Sequence, residues 1–298
     1  MHGVLRLLRR LLKVLGIGVL VIVVIVVGAL GVVWFLGPPV AKAGDAVVPP
    51  IDCRATPERP HPVVVLPGGD GTVDQTDAQW RTTTDALRGA GYCTLVFQVR
   101  GSDGNRWAAD VPTAGRDLNA FVDLVLVRTG AQQVAIVAHS AGSVVANHFL
   151  KVEHGAPKVA DAVFLAPETS HCDGRGFAES MGLPTSPFPL FRAVPAVPAL
   201  LARLMPSAAG PLQLAPGSPV FDAIFDGVLA QPGVRYSVMA TKRDVVATPA
   251  GTCSFIEEPG VTNVFYEDAF PAAPAVDHGS LRSSPQVAGW VIGRLAAP

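Results

Sequence analysis

The chain has 298 residues, enough for one large α/β domain or two small ones. Its 23 Lys and Arg nearly balance 24 Asp and Glu, only 16% of residues are charged and 49% are hydrophobic. With no Lys/Arg run beyond the N-terminus, the sequence lacks the basic surface that nucleic acid requires, and nucleic acid is not expected as a partner.

The apolar excess begins at the N-terminus. Residues 14–36 form an unbroken apolar run, long enough to cross a bilayer as a helix. Arg6, Arg9, Arg10 and Lys13 precede it, which predicts a cytoplasmic N-terminus and an exported remainder. Residues 1–36 therefore read as a transmembrane anchor or signal segment. The length of the run favours an uncleaved anchor, a single span of the cell membrane. The alternative is secretion after cleavage near Ala43, because Ala41-Lys42-Ala43 before Gly44 resembles a small-x-small cleavage site. Residues 37–62 are rich in Pro, Ala and Gly, have no periodicity, and read as a tether.

All four cysteines follow the apolar run, in the compartment where disulfides persist. Of three possible pairings the reading favours Cys53–Cys93 and Cys172–Cys253. The first would tie the segment before one strand to the start of the next. No pair has the close spacing of a metal site.

Residues 63–298 read as an alternating α/β domain. Val63 to Leu66 is a short buried strand running into Pro67-Gly68-Gly69-Asp70-Gly71-Thr72. This Gly-rich loop lacks the lysine and spacing of a phosphate loop. It suits backbone N–H groups that approach a substrate oxygen, with Gly69 as one donor and Ala141 as the second. An amphipathic helix follows over 77–88, then a strand over 94–99, a polar loop over 101–106 and a helix over 111–127 carrying Leu118, Phe121, Val122, Val125 and Leu126.

Residues 134–143, Val-Ala-Ile-Val-Ala-His-Ser-Ala-Gly-Ser, combine a buried strand with a small-x-Ser-x-Gly turn. An apolar helix start follows over 144–150. Strand, sharp turn and helix are the context that makes Ser140 a candidate nucleophile, with Ala138 and Gly142 as the small residues that let strand and helix pass closely. Residues 162–165 are a further strand, ending in Ala166-Pro167-Glu168.

Between 174 and 219 the alternation breaks. Six prolines punctuate an apolar, charge-poor stretch and exclude a long helix. It reads as a cap or lid with one short helix over 199–205. Strands over 236–240 and 261–266 follow, then Val276-Asp277-His278-Gly279-Ser280-Leu281 in a loop and a closing helix over 286–295. Strands separated by helices predict a mostly parallel sheet with helices on both faces, with ligands at the carboxyl ends of the strands.

A serine hydroxyl is a weak nucleophile near neutral pH. It needs a histidine to take its proton and a carboxylate to orient that histidine. His278 is the histidine that follows the late carboxylates. His148 and His154 lie in the helix after the turn, pointing away from its start. His139 reads as a packing or loop-stabilising residue and His171 as a weaker rival. Asp244, just after the 236–240 strand, is the favoured acid, with Glu267 and Asp268 as fallbacks. Asp222 and Asp226 read as helix-surface residues and Asp277 as structural.

Six segments then carry a resemblance: Pro-Val-Val-Val-Leu-Pro-Gly-Gly at 62–69, Gly-Tyr-Cys at 91–93, Ala-His-Ser-Ala-Gly at 138–142, Thr-Lys-Arg-Asp-Val-Val at 241–246, Gly-Val-Thr-Asn-Val at 260–264 and Val-Asp-His-Gly-Ser-Leu at 276–281. Over residues 53–295 the chain resembles the class 2 lipases of actinobacteria, within the α/β-hydrolases. The resemblance implies esterase or lipase activity on acyl esters, without a cofactor. It implies Ser140 as nucleophile, Asp244 as acid, His278 as base, and Gly69 and Ala141 as oxyanion donors. A cysteine before the first strand paired with Cys93 also fits it. Gly69 stands where relatives often carry threonine, so a side-chain donor is missing there. The 174–219 segment has no counterpart in the resemblance.

The expectation is thus a serine carboxylic-ester hydrolase acting on lipid or small acyl-ester substrates outside the cytoplasmic membrane. Two alternatives share the scaffold: an acyltransferase on envelope lipids with the same triad, and a non-catalytic membrane-tethered binding module.

Overall fold

The computed structural model describes residues 41–101, 104–180, 182–205 and 209–296, together with ten positions between 16 and 31. Among the described residues no helix is long and apolar enough to cross a membrane. Most of the 14–36 run, expected to be a span, lies outside the described residues, as do residues 37–40.

Six strands form one wholly parallel sheet: β2 (Val63–Leu66), β3 (Thr94–Val96), β5 (Val134–His139), β6 (Val159–Leu165), β7 (Arg235–Ala240) and β8 (Thr262–Phe265), in the order β3-β2-β5-β6-β7-β8. β2 and β5 are buried at every position, as expected of a parallel sheet covered on both faces. Alternate residues feed two cores. Val64, Leu66, Ile136, Ala138, Phe164 and Val238 pack against helix α2 (Val111–Thr129) through Leu118, Phe121, Val122 and Val125. Val63, Val65, Val137, Val163, Leu165 and Met239 face helices α1 (Thr76–Gly89) and α9 (Pro285–Leu295), through Trp80, Leu87, Val287 and Val291. The predicted parallel sheet with helices on both faces is therefore the observed core.

Local signals fix the helix ends. Asp110 caps α2 by accepting from Thr113 N–H at 2.9 Å, Pro112 follows in the first turn, and Gly130 ends the helix at φ 77°. Ser284 and Pro285 start α9 in the same way.

Three expectations change in detail. The 94–99 strand is split: Phe97 still donates to Val65 O, but the chain then turns out to form β4 (Gln98–Arg100). β4 pairs antiparallel with β1 (Asp45–Val47), a strand inside the segment read as a tether. Much of that segment lies against the domain. Ala41 is buried, Lys42 O accepts from Asp110 N–H, Arg59 stacks over Tyr92, and Cys53 is bonded to Cys93. Pro and Gly content erases periodicity without preventing such contacts. The helix after the sharp turn is α3 (Ala141–Asn147), and it continues as a π-helical turn over His148–Val152.

The 174–219 segment is a set of short helices between prolines: α4 (Arg175–Ser180), α5 (Phe188–Ala193), α6 (Ala196–Leu204) and α7 (Ala209–Leu212), followed by α8 (Pro219–Phe225). Phe188, Phe191, Ala202, Leu212 and Ala215 form a small core of their own, shared with Ala41 and the Cys172–Cys253 disulfide. Both expected disulfides are thus formed.

Candidate active site

The carboxyl ends of β2, β5, β6 and β7 lie side by side at one rim of the sheet, and each delivers a loop to the same place. β5 ends at His139, and Ser140 takes φ 49° and ψ −130° before α3 begins. A non-glycine residue with positive φ is strained, and such strain gathers where a side chain must be held in one direction. Gly142 makes the turn possible. A Cβ there would lie 2.4 Å from Pro67 O and 2.6 Å from Leu66 O, so α3 starts in contact with the end of β2. Ser143 Oγ donates to Ser140 O at 2.6 Å and braces the turn from within.

The 241–246 segment leaves β7 and turns Asp244 into the rim. Asp244 Oδ1 accepts from the N–H groups of Val246 and Ala247, both at 2.8 Å, which fixes the carboxylate plane. Its other oxygen, Oδ2, lies 2.8 Å from His278 Nδ1, and both side chains are buried. Asp244 and His278 are therefore joined. The fallback acids are engaged elsewhere: Glu267 accepts from Thr241 Oγ1 and Lys242 N–H, and Asp268 pairs with Lys242. Asp277 caps its own turn by accepting from Ser280 N–H and Oγ.

His139 holds the loop that carries His278. Its Nε2 donates to His278 O at 2.9 Å, and the two rings lie 4.8 Å apart. Burial, with His278 and Arg282 nearby, pushes the His139 pKa well below the ordinary histidine value, so the ring is neutral. The sequence reading of His139 as a loop-stabilising residue fits this arrangement. His148 is buried beside Gly115 on the far side of α3, and His171 lies by Thr169.

The Gly-rich loop after β2 sits over the start of α3. A Cβ on Gly69 would meet only Ala141 Cβ, at 3.5 Å, so the two expected oxyanion donors are neighbours. The need for glycine falls one position earlier, because a Cβ on Gly68 would lie 2.5 Å from His139 Nδ1. Arg106 pins this loop from beneath. Its buried guanidinium donates to Gly68 O at 2.7 Å, Thr72 O at 2.8 Å, Thr76 Oγ1 at 2.8 Å and Gln79 Oε1 at 2.7 Å. Asp70 bridges Arg106 to Arg282, which lies four residues after His278. Arg106 gave no sign in the sequence, where it closes a polar loop.

One site residue went unassigned. Ser140 Oγ donates to Glu168 Oε1 at 3.4 Å and not to His278. Burial, with the Asp244 carboxylate adding to it, raises the Glu168 pKa above the usual carboxylate value, against opposing effects of His278 and the Ser140 bond. Glu168 also lines a cavity of about 130 Å³ walled by Phe177, Phe188, Leu214, Val246 and the Cys172–Cys253 disulfide. Its only sequence signal was its place just past a strand. Together these groups offer a hydroxyl at a helix N-terminus, a carboxylate-oriented imidazole, clustered backbone donors and an apolar cavity. That is the equipment for acyl transfer through a covalent serine ester.

Residues 63–290 match the model of the Alpha/beta hydrolase family. Among solved structures, lipase B of Aspergillus fumigatus aligns with a TM-score of 0.57 at 13% identity, over 85% of this chain and 56% of that one. This chain thus spans little more than half the length of that lipase. A carboxylesterase structure of the ammonia-oxidizing thaumarchaeon Nitrososphaera gargenis aligns with a TM-score of 0.50 at 13% identity, over 84% of this chain and 94% of that one. Rv0554 of Mycobacterium tuberculosis gives 0.51 at 19% identity, over 86% and 98%. At these identities the likeness is one of fold. No curated protein matches the chain significantly.

Proposed function

The chain belongs to the Alpha/beta hydrolase family, and from that premise we propose that it is a serine carboxylic-ester hydrolase of the esterase/lipase type. Its substrates on this reading are acyl esters or lipids outside the cytoplasmic membrane. The observation that carries the reading is the buried Asp244–His278 pair, 2.8 Å apart, at the rim where Ser140 is held at positive φ.

In the proposed reaction Asp244 accepts from His278 Nδ1–H. This fixes the tautomer that leaves Nε2 free as a base, and it stabilises the imidazolium once the ring is protonated. Ser140 Oγ attacks the ester carbonyl and its proton passes to His278. The oxyanion is received by the N–H groups of Gly69 and Ala141, the latter in the first turn of α3. His278 then protonates the departing alcohol, and water releases the acid by the same steps in reverse. His139 and Arg282 act on this chemistry through position: one holds the His278 carbonyl, the other ties the His278 loop to the Gly-rich loop.

The α4–α7 helices serve as the cap in this reading. They close the cavity with aromatic side chains and expose Leu183, Leu190, Leu204 and Met205 outward, a surface suited to lipid. Export is supported by the 14–36 run behind its basic flank and by the two disulfides. The anchored form is favoured over cleavage near Ala43. Cleavage there would remove buried Ala41 and the Lys42 carbonyl that binds Asp110 N–H. The motif resemblance to actinobacterial class 2 lipases belongs to the same proposal.

The test is turnover of p-nitrophenyl esters alongside labelling by a fluorophosphonate. Labelling at Ser140 and loss of turnover in Ser140→Ala are expected. Near-normal turnover by Ser140→Ala would refute the mechanism.

A further inference from the structure

Among the described residues lining the cavity next to Ser140, Glu168 is the ionisable one, and the proposed triad has no use for it. Asp244 already holds His278. The chain nevertheless bends sharply to bring Glu168 in. β6 ends at Leu165, Ala166 takes φ 42°, and Pro167 follows. A positive φ on alanine is a strained conformation, of the kind retained where a neighbouring side chain must be aimed. Among the described residues, the hydrogen-bond partner of the Glu168 carboxyl is Ser140 Oγ, through Oε1. The other walls are apolar or sulfur: Phe177, Phe188, Leu214, Val246 and the disulfide.

Acylation removes that single partner. As the bond from Oγ to the acyl carbon forms and the ester C–O bond breaks, the Ser140 proton leaves with the alcohol by way of His278. Glu168, half-buried, then faces an ester oxygen that cannot donate, at a cavity whose other walls are apolar, and a polar group turned from water without a partner is costly. A plain hydrocarbon chain does nothing to relieve this. A hydroxyl on the carbon next to the ester carbonyl would lie three bonds from Oγ, roughly 3 Å away by ordinary bond lengths. One carbon further along, it still reaches a carboxyl that is itself 3.4 Å from Oγ.

Resting on the serine-hydrolase reading, we propose that Glu168 is a specificity-determining residue that selects acyl groups bearing a hydroxyl on the first or second carbon beyond the ester carbonyl. A hydroxyl suits this carboxyl because it can donate to a carboxylate oxygen or accept from a protonated one, and burial raises the Glu168 pKa, which disfavours the charged form.

The experiment compares kcat/KM for methyl hexanoate, methyl 2-hydroxyhexanoate and methyl 3-hydroxyhexanoate by titration of released acid. It uses the full chain as wild type, Glu168→Gln and Glu168→Leu. The readout is the ratio of hydroxylated to plain ester within each protein, which cancels any general loss of active enzyme. One unmet hydrogen bond of a half-buried carboxyl corresponds to a preference of about 10-fold in the wild type for at least one hydroxylated ester. The ratio should collapse to near one in Glu168→Leu and stay intermediate in Glu168→Gln, whose amide can still bond. If Glu168→Leu does not fold, a reduced ratio in Glu168→Gln carries the test. Wild-type ratios near one for both hydroxylated esters, or a preference that survives in the variants, would overturn the assignment while leaving the hydrolase reading intact. Absence of turnover of all three esters, with no fluorophosphonate labelling of Ser140, would instead remove the hydrolase reading and this inference with it.

Discussion

Replacing Gly142 with alanine sets two effects of known sign against each other. Gly142 is the second residue of α3, where alanine is the better helix former by up to about 1 kcal/mol. Propensity alone therefore predicts a more stable protein. The structure predicts the opposite. The new Cβ would stand 2.4 Å from Pro67 O and 2.6 Å from Leu66 O, and ordinary contact requires a retreat of about 1 Å. Both atoms are backbone at the end of a buried strand, so no side chain can swing aside. Overpacking of this kind costs about 1–3 kcal/mol. The net expectation is a loss of about 1–2 kcal/mol, or several degrees of Tm for a domain of this size. The same retreat moves Ser140 and the Ala141 N–H relative to the Gly69 loop, and displacements near 1 Å can cost about 10²-fold in rate. Thermal unfolding followed by circular dichroism, with ester turnover on the same samples, reads both quantities. A Gly142→Ala protein as stable as the wild type and fully active would refute the claim that close passage of α3 over β2 sets the site.

Asp244→Asn should lower kcat/KM for esters by about 10³–10⁴-fold with little change in Tm, whereas Glu267→Gln should leave kcat/KM within a few-fold; equal losses would remove the assignment of the acid. His148 is buried and its pKa is lowered to about 4, mainly by burial. The unfolded chain takes up a proton near pH 6.5 and the folded chain only near pH 4, so stability is full above pH 6.5 and falls as pH drops through that window. The loss reaches about 3 kcal/mol, and His139 adds to it in the same direction. Urea unfolding from pH 7 to pH 4 measures this slope, and a flat profile would contradict it. The Cys172–Cys253 bond closes a separation of 81 residues. Replacing both cysteines with alanine should cost about 4 kcal/mol on chain-entropy grounds, and an unchanged urea midpoint would show that the bond adds no stability.

Much of the sheet was legible because a parallel strand covered on both faces needs a continuous apolar run. Residues 63–66 and 134–139 supply one with no competing helical period. The Asp244–His278 pair was legible because each sits in a short polar block just after an apolar one. Phe97 hid the break between β3 and β4, since a ladder residue and a turning point look alike in a β-rich stretch. The short helices of the 174–219 segment, α6 excepted, were missed because prolines abolish the long period by which helices are recognised. Glu168 and Arg106 were illegible for a deeper reason. Their partners are 28 residues away in one case and 30 or more in several of the other's bonds. Only the strand order brings those partners together.

The burial of Ala41 among the short helices of the 174–219 segment fixes a length. Four residues, hence five steps of the chain, separate it from the end of the 14–36 run, and five steps reach at most about 17 Å even when fully drawn out. If that run is seated in a bilayer, those helices ride within a headgroup layer's reach of the lipid instead of swinging on a long stalk. On the proposed reading as a membrane-anchored lipid esterase, substrate would reach the site from that same bilayer, and detaching the chain would remove supply and address together.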